Sequence, residues 1–376
     1  MMNFMYKYYI FFPLVLISVL FISTGCRSVK ALGKNPSGEA LKKIESLPNY
    51  KNGQFHNLFT VEQPDTVVSS NRRPGWLYLL RFLFAGQKKE LLPTKTIPAV
   101  DTDLNTRYEK PTIIWFGHSA FLIKTATANI LVDPNLSDFA GPIRGSIRAF
   151  RGTDVYTYKD MPVIDALVIS HDHYDHLDYL TVKRLKKKVK RVIVPVGVGS
   201  HFIHWGYDPA MVTELNWNES YKVSDHVMIT ATPAHHRSNR TLQTRKTLWA
   251  SYVVSADGYK IYYSGDTGYS PHFKMIGEQY GPFDLALMEC GSYNVRWPQS
   301  HMFPPQIAQA ALDLKANMTM PIHWGKFLQS DHVWNEPVNL FLKAADSLKL
   351  PVTVPFIGQP YTIGTTIQGI DWWNYF

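Results

Sequence analysis

One six-residue segment, HDHYDH from His171 to His176, constrains the fold of this chain more than any other feature. The apolar and β-branched residues 164–170 before it predict a buried strand, and residues 177–191 after it predict a helix. The motif therefore lies where a strand passes into a helix, at the rim of a sheet, where open sheets commonly place their chemistry. Three imidazoles and a carboxylate at this spacing suit two adjacent ions of zinc or a similar first-row metal, and not calcium or magnesium.

Three later strand-like runs also end in potential metal ligands. Residues 227–233 lead into His235 and His236, residues 260–264 into the turn that contains Asp266, and residues 318–322 into His323. The simplest assignment has a first site of His171, His173 and His236, a second site of Asp175, His176 and His323, and Asp266 as a bridge. A carboxylate can bridge because it offers one oxygen to each ion. Side-chain chemistry alone does not separate His235 from His236.

Six segments in order make the chain resemble a known family. They are WFGHS (115–119), LVDP (131–134), ISHDHYDHLDY (169–179), TLWAS (247–251), SGDTGY (264–269) and IHWG (322–325). HxHxDH with a later His, a GDTG aspartate and a final His is the ligand set of metallo-β-lactamase-fold hydrolases. The other segments are similar to those of N-acyl-phosphatidylethanolamine-hydrolysing phospholipase D and its bacterial relatives. The resemblance extends from about residue 57 to about residue 345.

The resemblance implies a fold and an activity. The expected fold is α/β, in the α+β sense, a four-layer αββα sandwich with two sheets inside and helices outside. The expected activity is hydrolysis of a phospholipid diester by two Zn²⁺ ions, with a hydroxide between the ions as nucleophile. Asp175 and Asp266 would serve this catalysis as ligands. The family's PAxH segment favours His236 over His235, and His301 matches a histidine that the family places near the substrate phosphate.

Two other functions remain open from the sequence. A lactonase of the same fold would use the same metal framework and would need no channel for acyl chains. A non-catalytic surface lipoprotein that binds lipid on a relic site would be expected to lack a ligand, and none of the predicted ligands is missing. Asp133 and Asp178 are candidates to support the ligand imidazoles, and His118 is expected to have a structural role.

The first 26 residues predict export. Lys7 precedes an apolar run from Tyr8 to Ile22 that is short for a membrane span, and small residues follow. Cys26 after Gly25 resembles a bacterial lipobox, although Ser23 stands where Leu is usual; a plain signal anchor is the alternative. The expected domains are a signal at 1–26, a polar tether at 27–63 and a catalytic domain at 64–376. The protein is thus expected to be an exported, membrane-anchored lipoprotein acylated at Cys26.

Charge and aromatic content indicate the partners. The formal net charge is +9, and residues 183–191 are strongly basic. This run would form either a solvated helix face or a surface attracted to anionic phospholipid. Residues 75–84 would form either an interfacial segment that admits acyl chains or a helix packed on the core. No nucleic-acid-binding motif is present, so nucleic acid is not an expected partner. A homodimer is left open.

Overall fold

The structure, a computed structural model, describes residues 29–61, 88–143, 145–367 and 371–376. Its strands are β1 Tyr50–Lys51, β2 Gln54–Phe55, β3 Thr112–Trp115, β4 Phe121–Lys124, β5 Asn129–Val132, β6 Ile164–Val168, β7 Val189–Pro195, β8 Val212–Leu215, β9 Ser220–Ser224, β10 Val227–Thr232, β11 Ser251–Ala256, β12 Tyr259–Tyr263, β13 Leu285–Glu289, β14 Thr319–Ile322 and β15 Pro360–Thr362. Its α-helices are α1 Glu39–Glu45, α2 Tyr179–Leu185, α3 Gly199–His204, α4 His272–Gln279, α5 Pro304–Asp313 and α6 Glu336–Ser347. Short 3₁₀ helices cover Lys89–Leu91, Pro209–Met211 and Trp372–Tyr375.

Two mixed sheets form the centre of the fold. The seven-stranded sheet has the order β15-β3-β4-β5-β6-β7-β8, and the six-stranded sheet has the order β14-β13-β12-β11-β10-β9. Strands β5 to β8 are parallel, as are β12 to β14, and the remaining neighbours within these two sheets are antiparallel. The carboxyl ends of parallel strands meet at one edge of a sheet, so loops that follow them can assemble a shared site.

The side-chain alternation of β3 shows how the layers stack. Ile113 and Trp115 point into the large core between the two sheets, where they join residues of β11 and β12. Ile114 points the other way, into a second core that includes Val182 of α2 and Phe202 of α3. Helices α4, α5 and α6 pack on the six-stranded sheet. Because successive residues of a strand face opposite sides, both faces of a sheet can be buried. The predicted αββα sandwich is confirmed.

The helix predicted at residues 177–191 is correct in its first half only. Helix α2 ends at Leu185, and Val189 already begins strand β7, which lies between β6 and β8 inside the sheet. The β-branched residues 192–194 favour a strand, and their burial in the sheet outweighs the helical propensity of the lysines before them. The basic run is therefore divided between a helix end and a strand, where Lys190 pairs with Asp165 at 2.7 Å.

The polar tether predicted at residues 27–63 is wrong for residues 29–61. Helix α1 and the β1–β2 hairpin of this segment pack on the two-sheet domain through Ile44, Tyr50 and Phe55, which are buried with Leu248 and Trp249. The composition is polar overall, but these few apolar side chains each remove a large area from water, which stabilises the packed state. The segment is thus part of the domain.

Several sequence predictions concern residues outside the described ranges. The signal segment, Cys26 and residues 75–84 belong to these, and their predictions stay predictions. The longest described helix, α6, has 12 residues, and none in the described ranges has the length and apolar character of a bilayer span. Near residue 376, Trp372 and Trp373 are buried and pack on Trp324, so these two side chains belong to the core.

Candidate metal centre

Strand ends deliver every predicted ligand to one place. The HDHYDH loop follows β6, His236 follows β10, Asp266 follows β12, and His323 directly follows β14. The backbone of His323 has φ +64°, a value that is uncommon for residues other than glycine and is often found at functional sites. Its amide donates to the carbonyl of His118 at 2.8 Å. This bridge between a loop of one sheet and a strand end of the other holds the His323 ring at the centre.

The first predicted ligand group is assembled. Ligand atoms of His171, His173, His236 and Asp266 all lie within 4.8 Å of one another. Nε2 of His236 lies 3.3 Å from Nδ1 of His173, and Asp266 Oδ2 lies 3.7 Å from Nε2 of His171 and 3.9 Å from Nε2 of His236. Three imidazoles and one carboxylate oxygen at such distances are a donor set that suits a zinc ion.

The second predicted group lies beside the first. Nε2 of His176 and Nε2 of His323 lie 3.3 and 3.7 Å from Asp175 Oδ2. The same two nitrogens lie 3.1 and 2.9 Å from Asp266 Oδ1. Oδ1 of Asp266 faces His176 and His323, whereas Oδ2 faces His171 and His236 and also lies 3.0 Å from Nε2 of His323. The Asp266 carboxylate thus contacts both groups, as a bridging carboxylate must.

Buried polar atoms show that the residues fit bound cations. Nε2 of His171, Nε2 of His176 and Oδ1 of Asp266 are buried, and although the last two lie 3.1 Å apart, no group in the described part of the chain is oriented to form a hydrogen bond with any of the three. Such groups are costly to bury without a partner. The three atoms converge on the same space. Metal ions held between them would satisfy all three at once.

The electrostatics of these residues also indicate that they fit bound cations. Burial alone would raise the pKa of Asp266, but His176 and His323 hold it well below its usual range. Burial would lower the pKa of His323, and Asp266 and Asp175 raise it to about 10. The carboxylates of Asp266 and Asp175 are buried, and they need positive charge nearby to stay ionised. Without metal that charge must come from protonated imidazoles; with metal, the ions supply it and the imidazoles bind as neutral ligands.

The geometry identifies which of the adjacent histidines, His235 or His236, lies at the centre. Nε2 of His236 points at the first ligand group, and its Nδ1 contacts the carbonyl oxygen of Ser300 at 3.0 Å. Asn57, from the packed N-terminal segment, accepts a hydrogen bond from the His236 amide at 3.0 Å. His235 is in none of the described ligand groups. The structure therefore places His236, and not His235, at the centre.

Asp133 is the main support of the ligand imidazoles. Its Oδ2 lies 2.7 Å from Nδ1 of His176, and its carboxylate accepts from the amide and the hydroxyl of Ser170 and from the hydroxyl of Tyr263. The Ser170 hydroxyl in turn lies 2.9 Å from Nδ1 of His171. One aspartate thus orients an imidazole from each ligand group. Sequence reasoning proposed Asp133 for such a role, and the structure places it there.

The two other candidates for supporting a ligand, Asp178 and His118, have different roles in the structure. Asp178 was a candidate for the same role, but its carboxylate accepts from the amides of Leu180 and Thr181, both at 3.1 Å, and so caps helix α2. The prediction for Asp178 is wrong, because an Asp just before a helix satisfies its free amides. His118 does support a ligand: its Nε2 lies 2.8 Å from Asp175 Oδ2, which also accepts from Gln329 at 3.0 Å. No sequence signal had indicated Gln329.

Replacing Asp133 by asparagine should weaken metal binding by about 10–100-fold, because an amide cannot accept all the hydrogen bonds that the carboxylate accepts. The measurement is a zinc titration against a competing chelator. Asp165→Asn is the control, since Asp165 lies on β6 but pairs with Lys190. Unchanged zinc affinity in the Asp133 variant would contradict the role given to Asp133.

His301 lies at the open side of the centre. Its side chain is 12% exposed, whereas the side chains of His171 and His323 are each 1% exposed. Its Nε2 lies 4.0 Å from Asp266 Oδ2, and its Nδ1 contacts the buried carboxylate of Glu289 at 2.7 Å. Glu289 ends β13 after an apolar run. Sequence reasoning missed it, although this was the pattern that identified the other strand-end residues.

Comparison with known proteins agrees with the geometry. The family described as the Beta-lactamase superfamily domain matches residues 128–324. An uncharacterised Mycobacterium tuberculosis protein is 35% identical over 337 residues, which cover 88% of each chain. N-acyl-phosphatidylethanolamine-hydrolyzing phospholipase D 1 of Caenorhabditis elegans is 30% identical over 291 residues, 71% of this chain and 80% of that protein. The solved structure of Igni18, a metallo hydrolase from Ignicoccus hospitalis, shares the fold with a TM-score of 0.51 at 22% identity, over 69% of this chain and 100% of that one.

These relatives confirm the resemblance that the sequence motifs predicted. The matched region, residues 128–324, contains four of the six motif segments in full. The ligand residues in this region follow strands of the two mixed sheets. The chain belongs to the β-lactamase superfamily of metal-dependent hydrolases.

Proposed function

We propose that this protein is a dinuclear zinc-dependent phosphodiesterase of the phospholipase D type. Its substrate would be N-acyl-phosphatidylethanolamine or a related phospholipid, and its products phosphatidic acid and an N-acylethanolamine. The observation that carries the proposal is the position of Asp266, whose carboxylate lies between two groups of ligands and contacts both. A paired site of this kind suits the in-line displacement that a phosphodiester requires.

The choice of substrate is supported by similarity. The C. elegans relative, named for hydrolysis of N-acyl-phosphatidylethanolamine, aligns over 71% of this chain, and the aligned length is 291 residues. A mitochondrial yeast protein with the same named activity is 35% identical over 238 residues. The choice of zinc is supported by the donor set, which is mainly imidazole with two carboxylates.

Each residue of the centre has a role in this proposal. The ions, when bound, lower the pKa of a water molecule towards about 7 and neutralise charge on the phosphoryl oxygens. Asp266 holds the two ligand groups at a fixed separation, and Asp175 is kept in place by His118 and Gln329. His301, on the open side, would in its protonated form donate a hydrogen bond from Nε2 to the substrate phosphate or a proton to the departing alkoxide.

The test is analysis of products by mass spectrometry after the purified zinc-loaded protein meets N-acyl-phosphatidylethanolamine. The expected result is phosphatidic acid plus N-acylethanolamine, formed by the wild type and not by Asp266→Ala. If zinc is bound and neither product forms, the proposed substrate is wrong, although the metal hydrolase assignment still holds. Release of a free fatty acid in place of N-acylethanolamine would contradict the phospholipase D reaction.

We also propose that the protein is exported and held at a membrane by an acyl chain on Cys26. The support is the order of a basic residue, an apolar run and small residues before this cysteine. Cys26→Ser should abolish metabolic labelling with a radioactive fatty acid, and Cys290→Ser, which changes the buried cysteine of the domain, is the control. Labelling that persists in the Cys26 variant would refute acylation at this position.

A further inference from the structure

Glu289 is a buried acidic residue beside the metal centre that no ligand role requires. It has no exposed surface, and both of its carboxylate oxygens are in use. Oε2 contacts Nδ1 of His301 at 2.7 Å, and Oε1 accepts from the amide of Met302 at 2.5 Å. Its own amide donates to the hydroxyl of Ser264 at 2.9 Å. The carboxylate is therefore fixed at the end of β13, from where it holds the loop that carries His301.

The consequence for His301 is a defined ring orientation. While Glu289 is ionised, its carboxylate can only accept, so the nitrogen that faces it must carry the hydrogen. The neutral ring is then the Nδ1–H tautomer, with a lone pair on Nε2 that can take up a proton, and the protonated ring also has a donor on Nε2. Nε2 points towards Asp266, and the His301 ring centre lies 5.4 Å from that of His236 and 5.2 Å from that of His323. The free nitrogen is thus presented between one ligand of each group.

We propose that Glu289 is a positioning residue for His301, fixing its tautomer and ring plane so that Nε2 is directed at the space above Asp266. The proposal deepens the proposed function and rests on it, because that space is where the phosphoryl group of the substrate would bind. Glu289 would contact neither the substrate nor the ions. Its effect on the reaction would pass through the imidazole, in the way that a buried carboxylate orients a catalytic histidine in other enzymes.

The same geometry offers two competing roles for Glu289. Ligand atoms of Asp266, Glu289, His301 and His323 also lie within 4.8 Å of one another, so Glu289 could itself be a metal ligand. Alternatively, Glu289 could serve only to hold the Met302 amide and thus the start of the segment before α5. A positioning role differs from both, because it predicts an effect that depends on the presence of the His301 ring.

The test uses Glu289→Gln in the full zinc-loaded protein. The amide keeps the volume of the side chain but has a single acceptor oxygen, so it cannot accept from both Nδ1 of His301 and the Met302 amide. We expect kcat to fall by about 10–100-fold, with KM and the zinc content little changed. In a His301→Ala background the same substitution should change kcat by less than about twofold, because residues that act as a unit are non-additive.

A spectroscopic readout makes the test independent of the substrate. With ¹⁵N-labelled histidine, the His301 ring signals, assigned as those lost in His301→Ala, should show the Nδ1–H tautomer in the wild type. In Glu289→Gln they should shift towards the Nε2–H tautomer. The matched control is Glu336→Gln, which alters a nearby carboxylate that accepts from Tyr293 at 2.6 Å and does not contact His301. This variant should leave both the ring signals and kcat unchanged.

Three results would overturn the proposal. Loss of zinc in Glu289→Gln would make Glu289 a ligand. An equal loss of kcat with and without the His301 ring would make Glu289 a structural residue only. Unchanged His301 ring signals would remove the positioning effect. If the wild type fails on N-acyl-phosphatidylethanolamine, the proposed substrate fails, but the tautomer measurement and a double-mutant cycle on bis(p-nitrophenyl) phosphate still decide the role of Glu289.

Discussion

Replacing Asp266 by alanine is expected to remove activity and bound metal together. This carboxylate is the group that contacts both ligand sets, through Oδ2 to His171, through Oδ1 to His176 and through both oxygens to His323. Without it, neither set keeps its full number of donors, and buried imidazoles that lose their counter-charge will repel one another once protonated. We expect kcat/KM to fall by about a thousandfold or more, a loss of about 4 kcal/mol in transition-state stabilisation.

The measurement pairs zinc content with activity in the same preparations. Asp266→Asn is the second variant, because it keeps the side-chain shape and offers only one ligand oxygen; it should also lose activity, with at most one ion retained. Asp225→Asn is the control, since Asp225 forms an exposed ion pair with Lys222. Circular dichroism should show that the variants remain folded. Wild-type turnover in a folded Asp266→Ala protein would rule out the dinuclear mechanism.

The second large effect should distinguish two neighbouring histidines. His236→Ala removes a donor from the first ligand group, and we expect an activity loss of about a hundredfold or more, because even residues that only support a ligand are worth about 10–100-fold. His235→Ala, one residue away, should cost less than about tenfold, or about 1.4 kcal/mol. The backbone of His235 donates from its amide to the Thr267 hydroxyl and accepts from the Gly268 amide, both at 2.9 Å, and the substitution keeps both hydrogen bonds.

His235→Ala and His236→Ala serve as controls for each other. Both side chains are buried, with 5% exposure for His235 and 4% for His236, so burial alone would predict similar losses. Steady-state kinetics and a zinc titration on both proteins give the ranking. A larger loss for His235→Ala, or equal zinc affinity in the two variants, would show that the ligand assignment is wrong.

Much of the site could be predicted because the chain repeats one local pattern. Apolar strands end in a ligand residue at β6, β12 and β14, and a buried strand with a polar residue at its end is visible in sequence. Which of His235 and His236 faces the centre was not visible from the residues, because it depends on how the turn after β10 is held. Asn57 contributes to that turn from 179 residues away in the chain, and such contacts have no local signal.

Other errors have equally physical causes. The run 186–191 has the composition of a helix surface, yet the strand that begins at Val189 is decided by its neighbours β6 and β8. Residues 29–61 are polar in composition, and only their few buried apolar side chains reveal that they pack. Glu289 was missed for a different reason, since an acidic residue after an apolar run has meaning only when His301 lies opposite it. The strand at Val189, the packing of residues 29–61 and the role of Glu289 all depend on contacts with residues that are distant in the sequence.

The number of zinc ions bound to each wild-type chain tests the central claim most directly. Metal-free protein would be titrated with zinc and its metal content measured by inductively coupled plasma mass spectrometry after removal of free ions. The arrangement of the six other predicted ligands around Asp266 predicts two ions per chain. A plateau at one ion, with full hydrolytic activity, would show that the second group binds no metal and would contradict the bridged centre.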